Sequence, residues 1–152
     1  MSAEQRLVEL ELELPEPAQP AGNYIGAVAF DGLLHTAGHG PRRADGSVIT
    51  GKLGADLDVE AGYEAARVAA LGLLATIRHE LGSLDRVEQV VKMLGMVNAT
   101  PDFGRQPAVI NGASDLLVEL FGERGRHARS AVGMGSLPFG IAVEIELIVR
   151  YR

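Results

Sequence analysis

Arg129, Glu144 and Glu146 are the residues whose types and spacing could do chemistry in this chain. From Ile141 to Val149 the odd positions are apolar (Ile141, Val143, Ile145, Leu147, Val149), so the two glutamates fall on the opposite face of a strand. With Gly135 to Gly140 as a turn, the strand starting near Arg129 folds back antiparallel as a β-hairpin. Arg129 then lies about opposite residues 144 to 146, within a cross-strand reach of roughly 5 Å. A planar guanidinium grips a carboxylate through two parallel hydrogen bonds, and a carboxylate beside a reacting carbon can take a proton from water. Spacing by itself favours a plainer outcome, a cross-strand ion pair with no ligand, worth about 0–1 kcal/mol if exposed.

The elements that must position these groups follow from periodicity and turn chemistry. Val8 to Leu14 alternates apolar residues with Glu9, Glu11 and Glu13, the period of a half-buried strand. Pro15 to Gly22 reads as a loop. Tyr24 to Phe30 and Leu33 to Ala37 flank Asp31-Gly32, a two-residue hairpin signal. Gly38 to Gly54, broken by Pro41 and Asp45-Gly46, reads as a long, mobile loop of the kind that covers a site. Asp58 is a candidate N-cap for a helix to Leu81, which Gly82 stops. Val90 to Ala99 is strand-like, residues Thr100 to Phe103 turn the chain, and Pro107 to Phe121 reads as a second helix ending at Gly122. The order predicts an α+β fold: a single mixed or antiparallel sheet with two helices on one face. The other sheet face, which carries Glu144 and Glu146 among small and apolar residues, is expected to be covered by subunit association.

A chain of 152 residues with 47% apolar content fits one domain, residues 1–152. The most apolar window, Ala65 to Ile77, is short and contains Arg67, so neither a membrane span nor a signal peptide is expected. The absence of cysteine excludes disulfides, thiolate metal sites and a cysteine nucleophile, and suits a cytoplasmic protein. Twenty acidic against fourteen basic residues, a net charge of −6, argue against binding nucleic acid by neutralising phosphates. The basic pair Arg42-Arg43 and the cluster Arg124, Arg126 and His127 read as solvated loop charge. His35 and His39 are four apart on a strand and turn rather than on a helix, so no metal site is assigned. Ser114-Asp115 would need a placed histidine to form a nucleophilic triad.

Ala128-Arg-Ser130, Leu137-Pro138 and Val143-Glu-Ile-Glu146, preceded in order by Gly22-Asn-Tyr24, Ala37-Gly38-His39, Asp102-Phe103 and Asn111, resemble the reactive intermediate deaminase (Rid, or YjgF) family. Proteins of this family are often labelled endoribonuclease L-PSP-like. The resemblance runs from about Gly22 to Arg150. It implies a chorismate-mutase-like homotrimer with a cleft at each subunit interface. It also implies hydrolysis of reactive enamine or imine acids to 2-oxo acids and ammonia, the reaction of a 2-imino acid deaminase, with no cofactor. By the resemblance Arg129 is the substrate-carboxylate arginine and Glu144 the residue that positions or activates water. Tyr24, Gly38, His39 and Asn111 are implied to bind substrate. The chain departs from the family pattern in Ala131, where many members have cysteine, in His39, where glutamine is usual, and in a longer connector before Asn111. These departures describe a divergent subgroup. They also motivate a second reading, a non-catalytic trimer that binds a small carboxylate. Ribonuclease activity is a third, which the net charge disfavours.

Overall fold

The computed structural model describes residues 1–152. A helix α1 (Ala3–Glu9) opens the chain, followed by strands β1 (Ala27–Phe30) and β2 (Leu33–Thr36) and the long helix α2 (Val59–Leu81). Strand β3 (Val87–Asn98), helix α3 (Gln106–Phe121) and strands β4 (Ala128–Met134) and β5 (Val143–Tyr151) complete it. One five-stranded mixed sheet has the order β1-β2-β5-β3-β4, in which only β3 and β4 run parallel. No helix is long and apolar enough to cross a membrane.

The locally encoded elements form as expected. Asp31 and Gly32 both take positive φ, 52° and 77°, the two-residue turn whose twist matches the strands it joins. Asp58 accepts a hydrogen bond from the Ala61 amide at 2.8 Å to cap α2, and Gly82 closes that helix in the left-handed conformation. Between α2 and α3 two glycines allow very close approach. A Cβ at Gly112 would stand 1.9 Å from the Tyr63 carbonyl oxygen, and one at Gly62 3.0 Å from Val109.

Three expectations are corrected. The strand over 8–14 is absent. Ser2 and Gln5 form a reciprocal capping box that starts a helix, and the positive φ of Glu11 breaks the chain shortly after that helix ends. Leu12 and Leu14 still pack on the core while Glu11 and Glu13 stay exposed, so the alternation marks a burial pattern without a ladder. The helices therefore number three, because α1 joins the pair foreseen. Finally, the C-terminal hairpin does not form: β5 inserts between β2 and β3, while β4 lies beyond β3. Burial explains the choice. Val143, Ile145, Leu147 and Val149 are all buried and claim a central position, whereas every residue of β4 is exposed or half-buried, as an edge strand tolerates.

The loop over 38–54 is tied down rather than free. His39 exchanges two backbone hydrogen bonds with Ile145, Ala142 donates to Ile49, Gly51 to Gly140, and Leu53 to Asn98. The core fills the space between the sheet and the helices. No helix packs on the opposite sheet face, which presents Val28, Phe30 and Val132 at 52%, 74% and 38% exposure.

Candidate functional site

The six residues to which the resemblance gave roles fall into two groups. Glu144, Gly38, His39 and Tyr24 line a cavity of about 800 Å³. Arg129 and Asn111 belong to the other edge of the sheet, against α3. Register puts Glu144 beside Met96 and Arg129 beside Met93. Successive residues of β3 point to opposite faces, and Met93 is buried in the core, so Arg129 projects toward the helices and Glu144 toward the opposite face. The expected cross-strand contact between Arg129 and Glu144 is therefore absent within one chain, since β3 separates the strands and the sheet separates the side chains.

In the first group Glu144 is half-buried and rests on Gly38: a Cβ at that position would stand 2.9 Å from the glutamate Cδ. Glycine thus leaves room for the Glu144 carboxylate, which any larger residue here would push aside. Burial, with repulsion from Glu146 as the smaller cause, raises the Glu144 pKa above the ordinary carboxylate value. A carboxylate raised in this way is a better proton acceptor near neutral pH. Tyr24 is exposed, its Oη accepting from the Ala21 amide at 3.2 Å. Arg42 and Arg43 line the same cavity, and neither takes part in any of the chain's five salt bridges. Sequence reasoning assigned this pair to solvated loop charge. Its place in the cavity that Glu144 also lines depends on the path of the 38–54 loop, for which no local signal exists.

His39 is buried, and both ring nitrogens are engaged within the chain. Nδ1 donates to the Ala37 carbonyl at 2.8 Å, so the neutral ring accepts from the Thr76 hydroxyl at Nε2, 2.7 Å away. Burial lowers the His39 pKa, against the weaker upward pull of the Ala37 carbonyl. The folded protein therefore resists a proton that the unfolded chain, titrating near 6.5, accepts. Stability from this residue is present above about pH 6.5 and declines as pH falls below that value toward the folded pKa. Thermal melts between pH 7.5 and 5 are expected to show this loss in the parent and a flatter profile in His39→Gln. Identical slopes would remove His39 as the cause.

In the second group Arg129 donates from Nη1 to Ser114 Oγ at 2.9 Å and from Nη2 to the Pro107 carbonyl at 3.1 Å. Pro107, Asn111 and Ser114 recur at helical spacing, which puts the exposed Asn111 on the same side of α3 as the two residues that hold the guanidinium. Arg129 takes part in no salt bridge. Its remaining N–H groups make no hydrogen bond within the chain. His127, not selected from sequence, contacts Ser114 Oγ through Nε2 at 2.9 Å. No group of three or more His, Cys, Asp or Glu side chains is arranged to hold a metal ion.

Comparison with known proteins adds kinship to this geometry. Residues 4–148 match the family described as YjgF/chorismate mutase-like, putative endoribonuclease. Protein TCP17 of Trypanosoma cruzi is 47% identical over 145 residues, covering 95% of this chain and 91% of that protein. The crystal structure of Atu1372 from Agrobacterium tumefaciens, a protein of unknown function, is 41% identical with a TM-score of 0.89, over 98% of this chain and 91% of that one. A structure from Shewanella oneidensis described as a putative endoribonuclease is 36% identical with a TM-score of 0.95, over 99% of both chains. With a family match across nearly its whole length and relatives of this identity, the chain belongs to the YjgF/chorismate mutase-like (Rid) family.

Proposed function

We propose that this protein hydrolyses 2-imino and enamine acids to 2-oxo acids and ammonia in a cleft between subunits of a homotrimer. The observation that carries the reading is the separation of Arg129 from Glu144. They occupy opposite sheet faces of one chain, yet one is a guanidinium without a counter-ion and the other a carboxylate of raised pKa beside a cavity. A small substrate touches both only where two copies meet. The exposed Val28, Phe30 and Val132 supply apolar surface whose burial favours such a meeting, at about 25 cal/mol per Å².

In this reading Arg129 of one subunit grips the substrate carboxylate, with Asn111 beside it. Glu144 of the neighbour accepts a proton from water as the oxygen attacks the imine carbon. The C–N double bond opens onto nitrogen, giving a carbinolamine. Glu144 returns that proton to nitrogen, then takes the carbinolamine hydroxyl proton and passes it to nitrogen as well, so the C=O bond forms as the C–N bond breaks and ammonia leaves. One water is consumed and the carboxylate is regenerated. Imines are electrophilic enough that orienting water and carbon suffices, so no strong nucleophile is required. The name endoribonuclease borne by similar proteins favours RNA less here, because a net charge of −6 repels phosphate.

The test is 2-oxo acid formation from imino acids generated in solution by an amino-acid oxidase, with and without the protein. Acceleration by the parent and a loss of about 100-fold or more in Glu144→Gln are expected. No acceleration with any side chain, combined with tight binding of a 2-oxo acid, would move the reading to the non-catalytic carboxylate-binding trimer. Sedimentation checks the assembly: a monomeric mass at micromolar concentration would remove the interface cleft. Glu144→Gln should also raise the melting temperature slightly at pH 7. A carboxylate whose folded pKa is raised destabilises the fold as it ionises, and that cost is fully present above the folded pKa.

A further inference from the structure

We propose that Ser114 and His127 are positioning residues that hold the Arg129 guanidinium in a carboxylate-binding orientation. The inference deepens the reading above and rests on it for the role of Arg129. Its basis is the direction of three consecutive hydrogen bonds. The Gly125 carbonyl oxygen can only accept, so at 2.6 Å from His127 Nδ1 it fixes the ring hydrogen on that nitrogen. The neutral ring then offers a lone pair at Nε2, and the Ser114 hydroxyl, 2.9 Å away, donates to it. With its hydrogen committed, Ser114 Oγ turns lone pairs toward Arg129 and accepts from Nη1 at 2.9 Å. The Met93 sulfur, 3.8 Å from Ser114 Oγ, is a weaker alternative acceptor for the hydroxyl hydrogen.

Each link has one polarity, and the chain ends on the group that has no counter-ion. The Pro107 carbonyl accepts from Nη2 and supplies a second fixed point, so the guanidinium plane is set by two acceptors from α3. Neither acceptor is charged. The orientation is therefore fixed without neutralising the cation, which leaves its full charge for a ligand. Burial, reinforced by the Arg129 charge and opposed by the Gly125 carbonyl, lowers the His127 pKa. The ring stays neutral at neutral pH, the state in which Nε2 accepts. A serine and histidine at this distance also suggest a nucleophile and base, but the Ser114 lone pairs already face Arg129.

The experiment uses the full chain with calorimetric binding of 2-oxobutanoate and steady-state kinetics on an imino acid. Ser114→Ala and His127→Ala are each expected to raise Kd and KM roughly ten-fold with kcat within about two-fold, because a misaligned fork weakens binding without removing the water-activating carboxylate. Ser114→Thr retains the hydroxyl and is expected to restore both constants. This arm separates lost positioning from lost folding, and melting curves of all variants accompany it. Ser114→Ala that binds and turns over like the parent overturns the positioning role and leaves the deaminase reading intact. A fall in kcat at unchanged KM also overturns it, since it assigns Ser114 to the chemical step. A parent protein that neither binds 2-oxobutanoate nor accelerates hydrolysis overturns the deaminase reading itself, and the positioning role with it.

Discussion

Arg129→Ala is expected to lower kcat/KM for imino acids by about two orders of magnitude or more and to weaken 2-oxo acid binding correspondingly. Removing one partner of a close, hydrogen-bonded charge pair typically costs about 2–5 kcal/mol, much of it from leaving the other charge unpaired. Two acceptors on α3 hold the guanidinium before any ligand arrives, so little side-chain ordering offsets that loss. Arg129→Lys separates charge from geometry. Lysine restores a positive charge but not the planar fork, so it is expected to recover only a minor part of the affinity. Calorimetry on parent, Ala and Lys variants checks the series. Full activity in Arg129→Lys would show that charge alone matters, and full activity in Arg129→Ala would end the carboxylate-anchor role.

Gly112→Ala should produce the largest loss of stability, about 3 kcal/mol or more. Its Cβ would lie 1.9 Å from the Tyr63 carbonyl oxygen, 2.8 Å from the carbonyl carbon and 3.1 Å from the Arg67 amide nitrogen. All three are backbone atoms of α2, so no rotamer change relieves the overlap and the two helices must separate. Separation also stretches the Tyr63–Asp115 hydrogen bond, 2.7 Å long, which ties the same helices on their solvent side. Because Ser114, Asn111 and Pro107 all ride on α3, displacement of this helix should weaken carboxylate binding as well. Gly104→Ala is the control: apart from its own chain neighbours no atom lies within 4 Å of its added Cβ, and a change within about 0.5 kcal/mol is expected. Urea denaturation midpoints decide, and equal midpoints for the two variants would refute the packing account.

The amino-acid sequence by itself determined the elements whose cause is local. Asp31-Gly32 makes its turn because two adjacent residues accept positive φ, and α2 runs from the Asp58 cap to Gly82 because both signals act within one helical turn. Ordered motifs from Gly22 to Glu146 also sufficed to recognise the family, since they encode kinship irrespective of contacts. Val8 to Leu14 shows where local reading fails. Its alternation matched a strand, but the Ser2–Gln5 capping box, a few residues upstream, started a helix, and the leucines reached the core without a ladder.

Tertiary structure alone decided how the site is divided. Strand alternation correctly set Glu144 and Glu146 on the face away from Ile145 and Leu147. No periodicity states which strand becomes the neighbour of β5. That choice followed from the competition of whole strands for central positions: the four buried residues of β5 won a place inside the sheet, and the weakly apolar β4 took the edge beyond β3. Arg129 thereby met α3 instead of Glu144. Ser114 and His127, thirteen positions apart, came within 2.9 Å because β4 returns beside α3, a contact set by packing between elements and not by any spacing along the chain.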